Sequence, residues 1–167
     1  MESSPAAPDE ALRQLDELIS SIDEPTFRRS SKLLPGGTIG SHVRHCIEFY
    51  QCLIDGVEDC RVDYDARRRE PGMEASPLNA KRALRQVISN GRALLADKGA
   101  NLALDVRESA DDWRNSSLGR ELGFVFSHTM HHLALIGVIL REAGVDLPEG
   151  FGVAPSTQRF MQCQAAS

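Results

Sequence analysis

The chain has 167 residues, 41% of them hydrophobic and 26% charged, which fits one globular domain that can build its own core without a disulfide or a structural metal. A net charge of -5 and a pI near 5.5 leave no basic face for a phosphate backbone. The one dense basic run, Arg67-Arg68-Arg69, is answered by Asp63, Asp65 and Glu70 and reads as a solvated loop. No apolar run reads as long enough to span a bilayer, so neither nucleic acid nor membrane is expected as a partner.

Residues 1–8 are small and polar and read as a disordered start, with no signal-peptide pattern. From Asp9 to Ile22, Leu12, Leu15, Leu18 and Ile19 recur at spacings of three and four, predicting a first amphipathic helix that Pro25 ends. A turn at Pro35-Gly36-Gly37 precedes Thr38, which is placed to cap a second helix reaching Val57. Its apolar stripe is Ile39, Val43, Cys46, Ile47, Tyr50, Leu53, Ile54 and Val57.

Residues 58–75 are polar and hold Pro71-Gly72, so a long loop is expected there. Ser76-Pro77 is a start signal, a capping Ser followed by Pro at the first helical position, for a third helix running to Asp97 and stopped by Gly99. Residues 100–116 read as a short strand or an extended crossover. Ser116 or Ser117 caps a fourth helix over 118–143, and Gly144 stands where a left-handed terminating residue belongs. The remainder, with Pro148, Gly150, Gly152 and Pro155, reads as an irregular tail wrapping the surface. The expected fold is all-α, a four-helix bundle over 9–167 with long crossover loops.

The five histidines, His42, His45, His128, His131 and His132, all lie on the two most apolar helices. On the wheel of the fourth helix, Leu118, Val125, His132, Ile136 and Ile139 fall within about 40° of one line, with His128 on its edge. His128 and His132 thus face inward one turn apart, the spacing at which two imidazoles chelate one ion. A buried imidazole needs partners for both ring nitrogens, and a metal supplies one for several rings at once. The alternative is that the rings hydrogen-bond to each other, to water and to Glu121. On the second helix His42 lies about 80° from the stripe centre and His45 about 140°, so spacing alone prefers His42 as the third ligand.

Ile39-Gly40-Ser41-His42-Val43-Arg44-His45 and, after a long gap, Ser127-His128-Thr129-Met130-His131-His132 resemble the DinB/YfiT-like superfamily. The likeness extends to the DinB-type domains that open the iron-dependent sulfoxide synthases of ergothioneine and ovothiol biosynthesis. It implies a four-helix bundle, often a homodimer, with a three-His site for zinc, nickel or iron. The second-helix ligand of the family matches His45, with His42 in reserve, and the HxxxH of the last helix matches His128 and His132. Many members follow the final His with Arg-Gly-Gln, where this chain has Leu133-Ala134-Leu135. With no catalytic domain after the bundle, the full sulfoxide synthase reaction is not expected.

Three His ligands leave coordination positions open, as in catalytic sites, and some relatives are thiol-dependent transferases or isomerases. The expected function is therefore a metal-dependent enzyme, a thiol-linked transferase or a hydrolase, with a low-molecular-weight thiol as a candidate substrate. The competing readings are a non-catalytic metal-binding or stress-associated bundle, and an interaction module whose histidines only pack. Glu121 is the candidate helper, as a base or as a group orienting a ligand, or else simply a Glu favoured by the helix dipole. Tyr50 and Arg44 are further helper candidates, with core packing and surface solvation as their plainer roles. Cys46 is either a fourth ligand or a small hydrophobe. Without a secretory signal Cys46, Cys52, Cys60 and Cys163 are expected as reduced thiols, and the setting as cytoplasmic.

Overall fold

The computed structural model describes residues 7–34, 37–109 and 112–165, with the side chains of 7–9 and 165 outside the description. The core is built from α1 (Ala7–Ser21), α3 (Ile39–Gly56), α5 (Pro77–Lys98) and α6 (Leu118–Glu142), the four helices expected from periodicity. α1 and α3 stand across the bundle from one another, and each packs against both α5 and α6. Smaller helices α2 (Glu24–Phe27) and α4 (Pro71–Ala75) pack beside α3, and α7 (Pro155–Ala165) follows the bundle.

The start signals act as expected. Thr38 and Ser41 exchange a reciprocal capping box at the head of α3, Ser76 caps α5 with Pro77 in its first turn, and Ser117 caps α6. Gly144 has φ +73, the left-handed terminus expected of it. The start of α1 at Ala7 takes in residues 7 and 8 of the expected disordered segment, while residues 1–6 and Pro35-Gly36 lie outside the described residues.

Two expectations need correction. The segment 58–75 is not an open loop: it holds β1 (Arg61–Asp63), a 3-10 turn (Tyr64–Ala66) and α4, because Val62, Tyr64 and Met73 are buried and tie it to the bundle. With β2 (Ala103–Arg107), where a short strand was one of the two readings of 100–116, and β3 (Arg114–Ser117), β1 forms a small sheet of order β1-β2-β3 within the helical fold. β1 runs parallel to β2, with Val62 opposite Val106, and β2 antiparallel to β3, with Leu104 opposite Ser116. The strands are three to five residues long, too short for alternation to register as a pattern. The tail is also more regular than expected, since α7 occupies most of it.

Residues 150–152 strap α6. The Gly152 amide donates to Gln14 Oε1 at 2.9 Å, and its φ of +69 brings its backbone against Leu133 and Ala134. Leu133 is fully buried. The Leu133-Ala134-Leu135 sequence therefore serves packing, with a small residue where the strap crosses. α6 is also long and apolar enough to cross a membrane by length and composition, contrary to the expectation that no segment is. It is nonetheless a central helix of the bundle, with Glu121 buried in its first turns.

Gly40 marks the closest approach of α3 to its neighbours: a Cβ there would strike the Glu74 carbonyl and sit 2.6 Å from the Phe27 ring. Gly40→Ala is expected to cost about 1–3 kcal/mol in urea denaturation, as overpacking does. Gly123→Ala, on an open face of α6, should instead add about 0.5–1 kcal/mol. Equal effects at the two positions would contradict this packing.

Candidate metal centre

α3 and α6 run antiparallel, and their histidines meet as rungs. His42 Nδ1 lies 2.9 Å from His132 Nδ1, and His45 Nε2 lies 2.8 Å from His128 Nε2. As the number rises along α3 it falls along α6, and the next rung, Phe49 beside Phe124, keeps the order with centroids 6.0 Å apart. All four of these histidines are half-buried, whereas His131 is exposed, its ring edge-on to His132 at 5.3 Å.

His45, His128 and His132 each offer a ring nitrogen within 4.8 Å of the others, a group that could hold a metal ion. His42 lies outside that group but touches one member of it. A nitrogen engaged with His42 cannot also bind a metal, so with this contact kept His132 has Nε2 to offer. The helical wheel preferred His42, and the reason is visible in α3. Phe49, absent from the expected stripe, is 2% exposed, and Glu48 is equally buried, so α3 is covered on more than one side. His45 stands one turn before Phe49, on the side that faces α6. Phe49 was the signal that could have found it.

Burial and neighbouring charge keep these rings neutral. Desolvation, then the Arg67 guanidinium, holds the His45 imidazole down to about 4. Desolvation, with His131 and Arg67, does the same to His128 at about 4. Desolvation and the surrounding imidazoles push His132 to about 3. His42 is lowered as well, mainly by burial. Metal binding requires the neutral form, so the site is prepared for a cation and against a proton. Three nitrogens converging on one another also outnumber the protons that fit between them, and a metal satisfies all three. With metal–nitrogen bonds of about 2.0–2.1 Å, neighbouring ligand nitrogens lie roughly 3 Å apart, close to the observed His45–His128 separation.

The other candidates fall elsewhere. Glu121 is fully buried, but its carboxyl accepts from Tyr64 Oη at 2.9 Å, from Arg120 Nη1 at 2.8 Å and from Ser116 Oγ, which fixes the start of α6 against the sheet. It is not in the three-His group. Tyr50 is core, beside Leu12 and Leu53. Arg44 pairs with Glu74 and approaches Glu48 at 3.9 Å, so it is a partly buried tie between α3 and α4 rather than a solvated charge. Cys46 is buried and hydrogen-bonded to Thr129, and burial pushes its thiol up to about 12, which suits packing. Sequence reasoning missed Phe49, stacked on His128 at 4.2 Å, and Arg67, whose guanidinium lies 4.5 Å from the Phe49 ring centroid. Arg67 therefore leaves the solvated loop assigned to its run and joins the site.

Comparison with known proteins gives the family and the fold. The model of the DinB superfamily matches residues 7–136. A solved DinB-like protein from Bacillus cereus superposes with a TM-score of 0.58 at 16% identity, covering 83% of this chain and 89% of that one, a likeness of fold. A curated protein from Rhizopus delemar named FK506-binding protein 5 is 28% identical over 147 residues, 85% of this chain. The chain spans about a third of that relative's length, 33%.

The depressed imidazoles make an acid-sensitive fold when no metal is present. Unfolded, each ring binds a proton near pH 6.5; folded, the three ligand candidates do so only at about 3–4. Between those values the unfolded chain holds more protons, so stability is full above 6.5 and is lost as pH falls. Chelator-treated protein should show a urea midpoint that drops from pH 6.5 to pH 5, above the range where carboxylates titrate, and His45→Gln should flatten that slope. A midpoint constant across this window would contradict the burial of the three rings.

Proposed function

The chain belongs to the DinB superfamily, and we propose that it is a metal-binding enzyme in which His45, His128 and His132 hold one divalent ion of zinc, nickel or iron. The observation that carries this reading is the grouping of three imidazoles between α3 and α6, each with a ring nitrogen within 4.8 Å of the others. Membership of the superfamily is compatible with it. Three imidazoles suit any of these metals.

Three protein ligands leave positions open for a reacting molecule. An ion bound there would lower the pKa of a coordinated water or thiol. The chemistry that fits is a thiol-linked transfer or a hydrolysis on a small molecule. Around the group the chain's own residues are aromatic and cationic: the Phe49 and Phe124 rings lie 4.2 Å and 5.7 Å from that of His128, and the Arg67 guanidinium lies 4.5 Å from Phe49. His42 contacts His132, Nδ1 to Nδ1 at 2.9 Å, and would orient that ring.

A second reading has specific support in the same contacts. The 2.8 Å and 2.9 Å nitrogen pairs are also distances at which neutral imidazoles hydrogen-bond to each other. The bundle would then be a non-catalytic module with its histidines as packing. Metal content of the purified protein separates the two. About one ion per chain is expected, absent from His128→Ala and from His132→Ala, with a Tm that falls on chelation. His42→Ala should keep the ion but weaken its binding about 10–100-fold, the usual effect of removing a group that orients a ligand. Glu121→Gln should keep metal affinity while lowering Tm, because it breaks only the Tyr64–Ser116–Arg120 cluster. No metal and no change on chelation would leave the packing reading standing. Turnover on a panel of small thiols tests the enzymatic part.

A further inference from the structure

An imidazole that binds a metal is ordinarily oriented by a hydrogen bond from its other ring nitrogen to a carboxylate, a carbonyl or water. Of the three rings in the group, His132 has a partner of this kind, since His42 Nδ1 lies 2.9 Å from its Nδ1. His45 and His128 have only each other, Nε2 to Nε2 at 2.8 Å, and among the described residues no other side chain or carbonyl hydrogen-bonds to either ring. A metal held by those two Nε2 atoms would replace even that contact. The two rings must then keep their directions by packing, and one residue touches both. The Phe49 ring lies 4.2 Å from the His128 centroid, inclined by 25°, and 4.7 Å from the His45 centroid, inclined by 55°.

Phe49 is itself held in place. It is 2% exposed, and Tyr64 lies nearly parallel to it on α3's far side of the stack, 5.1 Å between centroids at 16°. The Tyr64 hydroxyl donates at 2.9 Å to the fully buried Glu121 carboxyl. The stack therefore begins and ends on α6, at Glu121 and at His128, and passes through Phe49 between them. The bond that turns an imidazole has broad, shallow minima, so the ring's direction is set by what lies against its face. A flat ring stacked there resists that turning, whereas an aliphatic side chain of similar bulk leaves it free. We propose that Phe49 is the positioning residue of this group, holding the His45 and His128 rings in the direction a metal needs by stacking rather than by hydrogen bonding. It acts only through those two rings. This rests on the metal reading above.

The test uses the full chain and Co(II), whose d–d bands report the geometry of its ligands. Phe49→Leu is expected to weaken cobalt binding about 10-fold in competition with a chelator, as the loss of a ligand-orienting group does, and to alter the bands. Phe49→Tyr, which keeps the ring, should restore most of both. Val87→Ala, a truncation of a buried side chain on α5, should lower Tm and move neither. The unaltered protein supplies a readout that needs no variant: the carbon-bound ring protons of His128 should be shifted upfield by the Phe49 ring current, both free of metal and with one zinc bound. A shift that vanishes on zinc loading overturns the proposal, because the ring then leaves the stack to bind. Unchanged affinity and bands in Phe49→Leu overturn it too, as does Phe49→Tyr binding as weakly as Phe49→Leu, or an equal weakening in Val87→Ala. Absence of bound cobalt in the unaltered protein overturns both this proposal and the metal reading, whereas cobalt bound equally well by Phe49→Leu overturns this one alone.

Discussion

Polar rings buried between two helices must be satisfied by each other or by a ligand, and the arrangement of this protein follows from that constraint at the α3–α6 seam. An imidazole pushed out of water without a partner costs on the order of a missing hydrogen bond for each nitrogen. Here His42 answers His132 and His45 answers His128. The pairings favour this register of the helices, because sliding one past the other by a turn would pair only one histidine from each helix and leave the other two without a partner. α1 and α5 then cover the remaining sides of α3 and α6 with ordinary apolar contacts such as Leu15, Leu84 and Ile136.

The seam continues beyond the histidines. Below His128 the stack passes to Phe49 and then to Tyr64, whose ring lies nearly parallel to Phe49 at 5.1 Å. The Tyr64 hydroxyl donates to Glu121, and burial next to that carboxyl raises its proton affinity well above that of a free phenol. Glu121 in turn holds Ser116, the residue just before the α6 cap. One line of contacts therefore joins the sheet end of the bundle to the three-His group. The segment between α3 and α5 supplies Tyr64 and Arg67 to it, so a stretch whose composition reads as connection contributes to the shape and charge of the site.

The same contacts explain what was legible in the sequence and what was not. The four long helices announce themselves through period and caps, since Thr38, Ser76 and Ser117 act locally and each does what its residue type allows. His128 and His132 were legible for the same reason, being one turn apart on one face. His45 was not legible from spacing, because α3 is buried on more than one side and a wheel with a single stripe averages those sides together. The family resemblance supplied what periodicity lacked. Of the sheet, a strand at β2 was one reading of 100–116, whereas β1 was hidden because it is held by a neighbour distant in sequence, Val62 by Val106, and no local pattern encodes that. Arg67 was hidden by its company: within Arg67-Arg68-Arg69 only the first turns inward, Arg68 pairing with the exposed Asp55 instead.

The superfamily fold and this chain's own residues carry different parts of the chemistry. A likeness at 16% identity speaks to the scaffold alone. What distinguishes one member from another lies around the metal. Here α6 continues after His132 with Leu133-Ala134-Leu135, of which Leu133 is fully buried and Ala134 lies against the backbone of Gly152. At those positions α6 has no polar side chain to turn toward a ligand. A charge reaches the site from the opposite side instead, on Arg67, laid across the face of Phe49 where cation and ring attract each other. A guanidinium held over an aromatic ring and pinned by one carbonyl keeps its direction at little further entropic cost.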